Sequence, residues 1–216
     1  MRDQTSAERI ADGAVHVIGI GLGLAATIAL MILLFPNPEA GRVASVMIYA
    51  ACLMLMLVCS ALYNVLAKNN HDSIFRRLDH AAIFLMIAGT YTPFATMVIG
   101  GWPGGVVLTV VWIGALIGAT LKLIRLKRFD KLTVPLCLAL GWVIVFAYKP
   151  LITNASNLGF WLLIAGGLLY SVGTMFYAWK SLPFQNAIWH GFVLAAAICH
   201  FGAIVTDVAL PPLGGA

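Results

Sequence analysis

Seven long apolar runs, joined by short polar segments, constrain the fold of this chain more than any other feature. Hydrophobic residues make up 62% of the sequence and charged residues only 10%, whereas soluble domains carry roughly 25% charged residues. An apolar run of about 18 residues or more predicts a membrane-spanning helix, because roughly 20 residues cross a hydrocarbon core ~30 Å thick. The predicted spans cover residues 14–35, 43–67, 79–99, 104–125, 132–149, 158–179 and 188–209.

The sequence therefore predicts an all-α integral membrane protein with little chain outside its membrane domain. It divides into an N-terminal segment at 1–13, a seven-helix membrane domain at 14–209 and a short tail at 210–216. The first apolar run is too long for the core of a signal peptide, and no small-residue cleavage motif follows it. We interpret this run as the first spanning helix.

Basic residues predict the orientation of the helices. With the N-terminus in the cytoplasm, the cytoplasmic side carries eleven lysines and arginines, and the opposite side carries only Arg42 and Lys149. The positive-inside rule then predicts a cytoplasmic N-terminus and an outside C-terminus. The eleven residues are Arg2, Arg9, Lys68, Arg76, Arg77, Lys122, Arg125, Lys127, Arg128, Lys131 and Lys180.

Three other patterns are ordinary for membrane helices. The basic segment at 122–131 can contact anionic lipid headgroups, at about 1 kcal/mol per basic residue, and no pattern favours a nucleic-acid partner. Gly19 and Gly23 predict close packing against a neighbouring helix. All the cysteines fall within predicted spans, which predicts no disulfide framework. They are Cys52, Cys59, Cys137 and Cys199.

A small set of polar residues lies near the predicted cytoplasmic boundary of the membrane. A charge at mid-membrane depth costs about 2.5–3.5 kcal/mol on insertion scales, so acids and imidazoles gathered in apolar helices predict a functional site. Residues four apart share a helix face, and the set contains one such pair on span two and one on span seven. Asp12 and His16 lie at a similar depth near the first span. The set comprises Ser60, Asn64, Asp79, His80, Asn186 and His190.

Each of these residues also has a structural interpretation. An acid such as Asp79 at a helix start is favoured by the helix macrodipole, and Ser or Asn near a helix end often caps it or bonds to another helix. His200 lies ~15 Å deeper in the membrane than His190. It is interpreted either as a packed neutral imidazole or as part of a proton relay. Asp207, near the outer end of span seven, is expected to be solvated.

Several segments resemble the haemolysin III family, the bacterial branch related to the adiponectin and progestin receptors. The resemblance covers nearly the whole chain and implies a seven-helix bundle with its N-terminus inside. The matching segments are Glu8 with His16-Val-Ile-Gly19, Ser60-Ala-Leu-Tyr63-Asn64, the block from Arg77 through Asp79-His80 to Gly89-Thr-Tyr-Thr-Pro93-Phe94, and Ala187-Ile-Trp189-His190 with His200-Phe201.

The resemblance also implies a zinc ion near the cytoplasmic face, held by three histidines from spans two and seven. In this sequence the three positions are Asn64, Asn186 and His190, so one imidazole is retained. A serine and an aspartate that accompany the zinc in the family are present here as Ser60 and Asp79. The resemblance thus implies a site whose zinc-ligand set is altered.

The altered positions change the predicted chemistry. Asn offers a neutral amide oxygen, a poor zinc ligand, and catalytic zinc uses three protein ligands plus an open position. The set becomes richer in oxygen, including Asp12 where the family usually has Asn, and this suits a hard cation, ordered water or a hydrogen-bonded network. An alternative zinc set combines His190 and Asp79 with His16 or His80 as a supporting ligand.

Three functions stay open on the sequence alone. We expect a haemolysin III-like protein of the bacterial inner membrane that regulates membrane lipid state or energetics rather than lysing cells. One alternative is a metal-dependent hydrolase of lipid amides: His190 and a metal activate water, Asp79 serves as base or orienting group, and Ser60 binds substrate or stabilises the oxyanion. The other alternative conducts an ion or a proton through the polar cluster. The expected partners are membrane lipids, with a cation or a proton.

Overall fold

The computed structural model describes residues 5–67, 73–124 and 130–210, which are almost entirely helical. Within these residues seven helical segments are long and apolar enough to cross a membrane, which confirms the predicted all-α architecture. The helices are α1 (Ser6–Leu34), α2 (Ala40–Leu62), α3 (Ile74–Pro93), α4 (Gly101–Ile124), α5 (Asp130–Gly141), α6 (Tyr148–Asn154), α7 (Asn157–Ala178) and α8 (Gln185–Ile204). Arg2, Lys68, Arg125, Lys127, Arg128 and most of the predicted tail lie outside the described residues.

Helix α1 begins earlier than hydropathy predicts, at Ser6 rather than at residue 14. The cause is a capping box: the Thr5 hydroxyl accepts from the Glu8 amide at 3.3 Å, and the Glu8 carboxylate accepts from the Thr5 amide at 2.8 Å. These bonds satisfy N–H groups that a helix start otherwise leaves without partners. Residues 6–13 therefore form the first turns of the spanning helix.

Helix α3 lies at the centre of the bundle. In its span, 72% of the most apolar 18-residue stretch is buried, whereas in the fifth span the corresponding share is 11%. Helix α3 packs against α2 and α4, while α7 packs against α8. Helix α1 packs against both α2 and α8, so the first and last spans meet. Leu57 of α2 fills the space beside Gly19 and Gly23 of α1, which confirms their predicted role in close packing.

The fifth span is broken, although its sequence predicts one continuous helix. Helix α5 ends at Gly141, a 3₁₀ turn covers Val143–Ala147, and α6 follows. The Tyr91 hydroxyl fills the gap, since it donates to the Gly141 carbonyl at 2.7 Å and accepts from the Ile144 amide at 2.8 Å. Backbone polar groups at membrane depth need such partners, because no water is available there.

Basic residues separate between the two ends of the bundle as the sequence predicts. The end at which α1, α3 and α8 begin, called the inner end below, carries six of the described basic residues, and Arg42 and Lys149 lie at the opposite, outer end. That the inner end faces the cytoplasm stays a prediction. The six are Arg9, Arg76, Arg77, Lys122, Lys131 and Lys180.

Candidate functional site

Three side chains from the first and last spans meet near the inner end of the bundle. Asp12 and His16 lie one helical turn apart on α1, and His190 lies on α8. Each offers one ligand atom, and these atoms all lie within 4.8 Å of one another. Among the described residues, this is the one group of three or more histidine, cysteine, aspartate or glutamate side chains with that geometry. We call it the Asp12 centre.

The carboxylate of Asp12 lies between the two imidazoles. Nδ1 of His190 donates to Oδ1 of Asp12 at 2.6 Å, and Nε2 of His16 lies 3.8 Å from the same oxygen. The two imidazole ring centroids are 4.4 Å apart. Asp12 is only 2% exposed and His16 6% exposed, so a carboxylate and two imidazoles are concentrated in a nearly closed space.

Glu8 joins the helices that carry the Asp12 centre. One oxygen of its carboxylate accepts from the Thr5 amide in the α1 cap, and the other accepts from the Phe184 amide at 2.8 Å. Phe184 has a left-handed backbone, with φ of 57°, immediately before α8 begins. The start of α1 is thus bonded to the start of α8, which fixes the two backbones that position Asp12 and His190.

The polar pair on α2 bonds within its own helix. The Asn64 amide donates to the Ser60 carbonyl at 2.9 Å, where the helix widens into a π-helical turn over Tyr63–Ala67. Both side chains are half-buried. Asn186 is half-buried in the first turn of α8, one turn before His190. The structure thus brings His190 to the Asp12 centre and engages the Asn64 amide elsewhere.

Asp79 and His80 lie on α3, at the inner end of the bundle. Nδ1 of His80 donates to the Arg76 carbonyl at 2.8 Å and lies 3.6 Å from the Asp79 carboxylate. Neither residue is part of the Asp12 centre. Of the predicted supporting residues, Asp12 and His16 therefore join His190, and His80 does not.

A second charged cluster lies beside His80, and hydropathy alone did not indicate it. The Asp130 carboxylate accepts from Arg76 at 3.0 Å and from Lys122 at 2.9 Å, and Lys122 is only 1% exposed. Lys180 lies nearby with its ammonium 3.8 Å from the Tyr177 ring centroid, and burial together with the Arg76 charge lowers the pKa of Lys180. The sequence feature that could have indicated this cluster is Asp130, an acidic residue within the basic segment at 122–131.

Two candidate residues, His200 and Asp207, lie deeper in the bundle than the Asp12 centre. His200 lines an apolar cavity of about 120 Å³, with Nε2 3.4 Å from the Leu163 carbonyl. Asp207 was expected to be solvated, but its Oδ1 accepts from the Ser156 amide at 3.1 Å and its Oδ2 is buried. The expectation was wrong because the start of α7 packs over this carboxylate: a Cβ on Gly159 would overlap it.

Comparison with known proteins gives the family. A family described as "Haemolysin-III related" matches residues 6–201. The "Hemolysin-3 homolog" of Bacillus subtilis (strain 168) is 38% identical over 93% of this chain and 94% of its own length. The chain belongs to the haemolysin III family. Its relatives include "Hemolysin-3" of Bacillus cereus, 38% identical over 92% of this chain and 90% of that protein.

The relationship extends beyond bacteria. The human "Monocyte to macrophage differentiation factor" is 26% identical over 73% of this chain and 67% of its own length. Haemolysin III relatives in bacteria, together with seven apolar spans, make this chain a multi-pass membrane protein of that family.

The zinc positions that the haemolysin III resemblance implies do not fit zinc in this chain. Asn64 and Asn186 provide no imidazole, and the Asn64 amide is bonded to the Ser60 carbonyl of its own helix. Zinc sites use imidazole, thiolate and carboxylate ligands. Among the described residues, the side chains of that kind whose ligand atoms cluster closely enough are those of the Asp12 centre, and this ligand set differs from the implied one by two of three members.

Proposed function

We propose that this chain regulates the lipid state of the bacterial inner membrane as a membrane-embedded hydrolase of lipid amides, acting at the Asp12 centre. One observation carries the proposal: a buried carboxylate held 2.6 Å from an imidazole, with a second imidazole beside it, near the inner end of a seven-span bundle. Ionisable groups in such a position in membrane helices mark functional sites.

The side chains of the centre suit acid–base chemistry on a water molecule. Asp12 holds the His190 ring through Nδ1, and a carboxylate so placed fixes the orientation of an imidazole and stabilises it when it takes up a proton. His16 supplies a second group that can give or take a proton next to it. Asp12 thereby replaces Asp79 as the orienting acid in this proposal, and Ser60 keeps its place as a substrate-binding candidate.

The test is hydrolysis by the purified full-length protein in vesicles that contain a fluorescent lipid amide. We expect the Asp12→Asn substitution to lower the rate by at least about 100-fold, the scale of general acid–base catalysis. Glu39→Gln is the matched control, because Glu39 is an acid at the outer end with a side chain 59% exposed. Absence of hydrolysis by the folded wild-type protein, or equal rates in both variants, would contradict the proposal.

A second candidate, proton conduction, is favoured by a different observation. Among the described residues, Nδ1 of His200, the Tyr170 hydroxyl and Oδ2 of Asp207 are buried without hydrogen-bond partners. The rings of His200 and Tyr170 lie side by side, with centroids 5.6 Å apart, and Asp207 lies further along the last span towards the outer end. A pH-sensitive dye inside proteoliposomes tests this function: Asp207→Asn should abolish proton uptake, whereas a hydrolase should be indifferent to an imposed proton gradient.

The orientation is part of the same proposal. The charge distribution supports a cytoplasmic N-terminus, which places the Asp12 centre against the inner leaflet. Labelling of single cysteines introduced at Arg9 and at Lys149 in intact cells tests it, with a membrane-impermeant reagent. Reaction at position 149 alone is expected, and reaction at position 9 alone would reverse the orientation.

A further inference from the structure

The geometry points to a divalent transition-metal site formed by Asp12, His16 and His190. Its ligands come from α1 and α8, whereas the family resemblance implies ligands from the second and last spans. This inference rests on the proposed function only in placing the chemistry at the Asp12 centre. It concerns what the three side chains bind, which is measurable without any substrate.

Distances between the ligand atoms are those of a site close to closure around an ion. In a tetrahedral zinc site, with bonds of about 2.0–2.2 Å, neighbouring ligand atoms lie roughly 3.3 Å apart. Oδ1 of Asp12 lies 2.6 Å from Nδ1 of His190 and 3.8 Å from Nε2 of His16, one shorter and one longer than that value. All three ligand atoms lie within 4.8 Å of one another, so small shifts of the side chains would close the site around an ion.

The ligand types select the class of metal. Two imidazoles and one carboxylate suit Zn²⁺ and neighbouring first-row ions, whereas Mg²⁺ and Ca²⁺ prefer all-oxygen sites. Three protein ligands also leave a fourth position open, as in catalytic zinc sites. When bound, such an ion supplies Lewis acidity and lowers the pKa of a bound water, so the imidazoles then serve as ligands rather than as bases.

Burial of the carboxylate supports a cation at this place. Asp12 is 2% exposed and lies in a helix that crosses the membrane, where a charge taken out of water is stable only with compensating charge or hydrogen bonds. A divalent ion compensates the carboxylate while leaving both imidazoles neutral. The Glu8 bonds to Thr5 and Phe184 keep α1 and α8 in register around the site, as outer-shell contacts do in metal centres.

The experiment measures metal binding by the full-length protein in detergent. The protein is stripped with a chelator and then titrated with Co²⁺, whose visible absorption reports a tetrahedral site with nitrogen ligands, and zinc content is measured by elemental analysis. We expect one ion per chain in the wild type. Loss of a side chain that merely supports a metal ligand costs about 10–100-fold in affinity. His16→Ala and Asp12→Ala each remove a ligand itself and should weaken binding by at least about 100-fold.

His80→Ala is the matched control, since it removes an inner-end imidazole outside the Asp12 centre. It should bind metal like the wild type. The inference is overturned if the folded wild type binds no ion, or if His16→Ala binds as tightly as the wild type. Thermal unfolding monitored by tryptophan fluorescence identifies folded variants, and His16→Gln replaces His16→Ala should the latter not fold.

The outcomes separate this inference from the proposed function. Hydrolysis by folded protein that binds no ion in the Co²⁺ titration would overturn the metal site and leave the hydrolase in place. One bound ion per chain, without hydrolysis of any lipid amide, would overturn the hydrolase and leave the metal site in place.

Discussion

Asp12 and His190 are 178 positions apart in the chain, and their side chains lie 2.6 Å apart. The bond joins the first spanning helix to the last, and α1 packs against both α2 and α8. The proposed site therefore lies where the first and last spans pack together, and the central helix α3 contributes Arg76 to the second charged cluster.

Restoring the histidines that the family resemblance implies should create a competing metal site. In an Asp12→Ala background, the Asn64→His and Asn186→His substitutions together should recover one ion per chain, because His190 is common to both ligand sets. Either substitution alone should recover little, since zinc sites need three good ligands. Cobalt titration of the four proteins checks this. Recovery with a single substitution would mean that another side chain completes the set.

Removing the Tyr91 hydroxyl should destabilise the broken fifth span. Tyr91→Phe leaves the Gly141 carbonyl and the Ile144 amide without their partner, and one buried unsatisfied polar group costs about 1–3 kcal/mol. We expect a loss of roughly 2 kcal/mol or more in the free energy of unfolding, measured by denaturant titration in mixed micelles. Tyr148→Phe is the control, because Tyr148 is 51% exposed. Equal stability of both variants would contradict the bridging role.

Gly166→Ala should displace the buried imidazole of His200. A Cβ at position 166 would overlap Cδ2 and Nε2 of that ring, and overpacking a tight interior costs about 1–3 kcal/mol. Gly21→Ala is the matched control on an open helix face, with nothing within 4 Å of the added carbon. The melting temperature should fall for the first variant and stay equal or rise for the second. A fall in both would point to an unspecific effect of alanine.

Breaking the Lys122–Asp130 pair should weaken the inner end of α4. Lys122 is 1% exposed, while the Asp130 side chain is 33% exposed, so solvent screens the lost charge in part. Lys122→Met should cost about 1–2 kcal/mol, less than the 3–5 kcal/mol typical of a fully buried pair. A double-mutant cycle with Asp130→Asn gives the coupling energy. A coupling near zero would show that Arg76 alone holds Asp130.

Hydropathy and charge were sufficient to predict the class of fold. The seven spans and the grouping of basic residues at one end follow from the apolar runs and from Lys and Arg positions. The start of α1 was missed because Thr5 and Glu8 are polar residues used for capping. The break after Gly141 was missed because its partner, Tyr91, lies on another helix.

The candidate site was predicted in part. The concentration of ionisable residues at the inner end indicated a site, and His190 belongs to it. Which acid lies beside His190 depends on which helix packs against α8. The apolar helix faces in the sequence do not specify that neighbour, because one apolar face resembles another. The sequence placed both Asp79 and Asp12 near the inner boundary of the membrane, and only the contact of α1 with α8 selects Asp12.

The bond from Glu8 to the Phe184 amide has a consequence for biosynthesis. Helices enter the membrane in chain order, so the bonds of Glu8 to Phe184 and of Asp12 to His190 form only after α8 has been synthesised. The centre cannot exist in any shorter nascent chain, and its chemistry appears only when the last span docks.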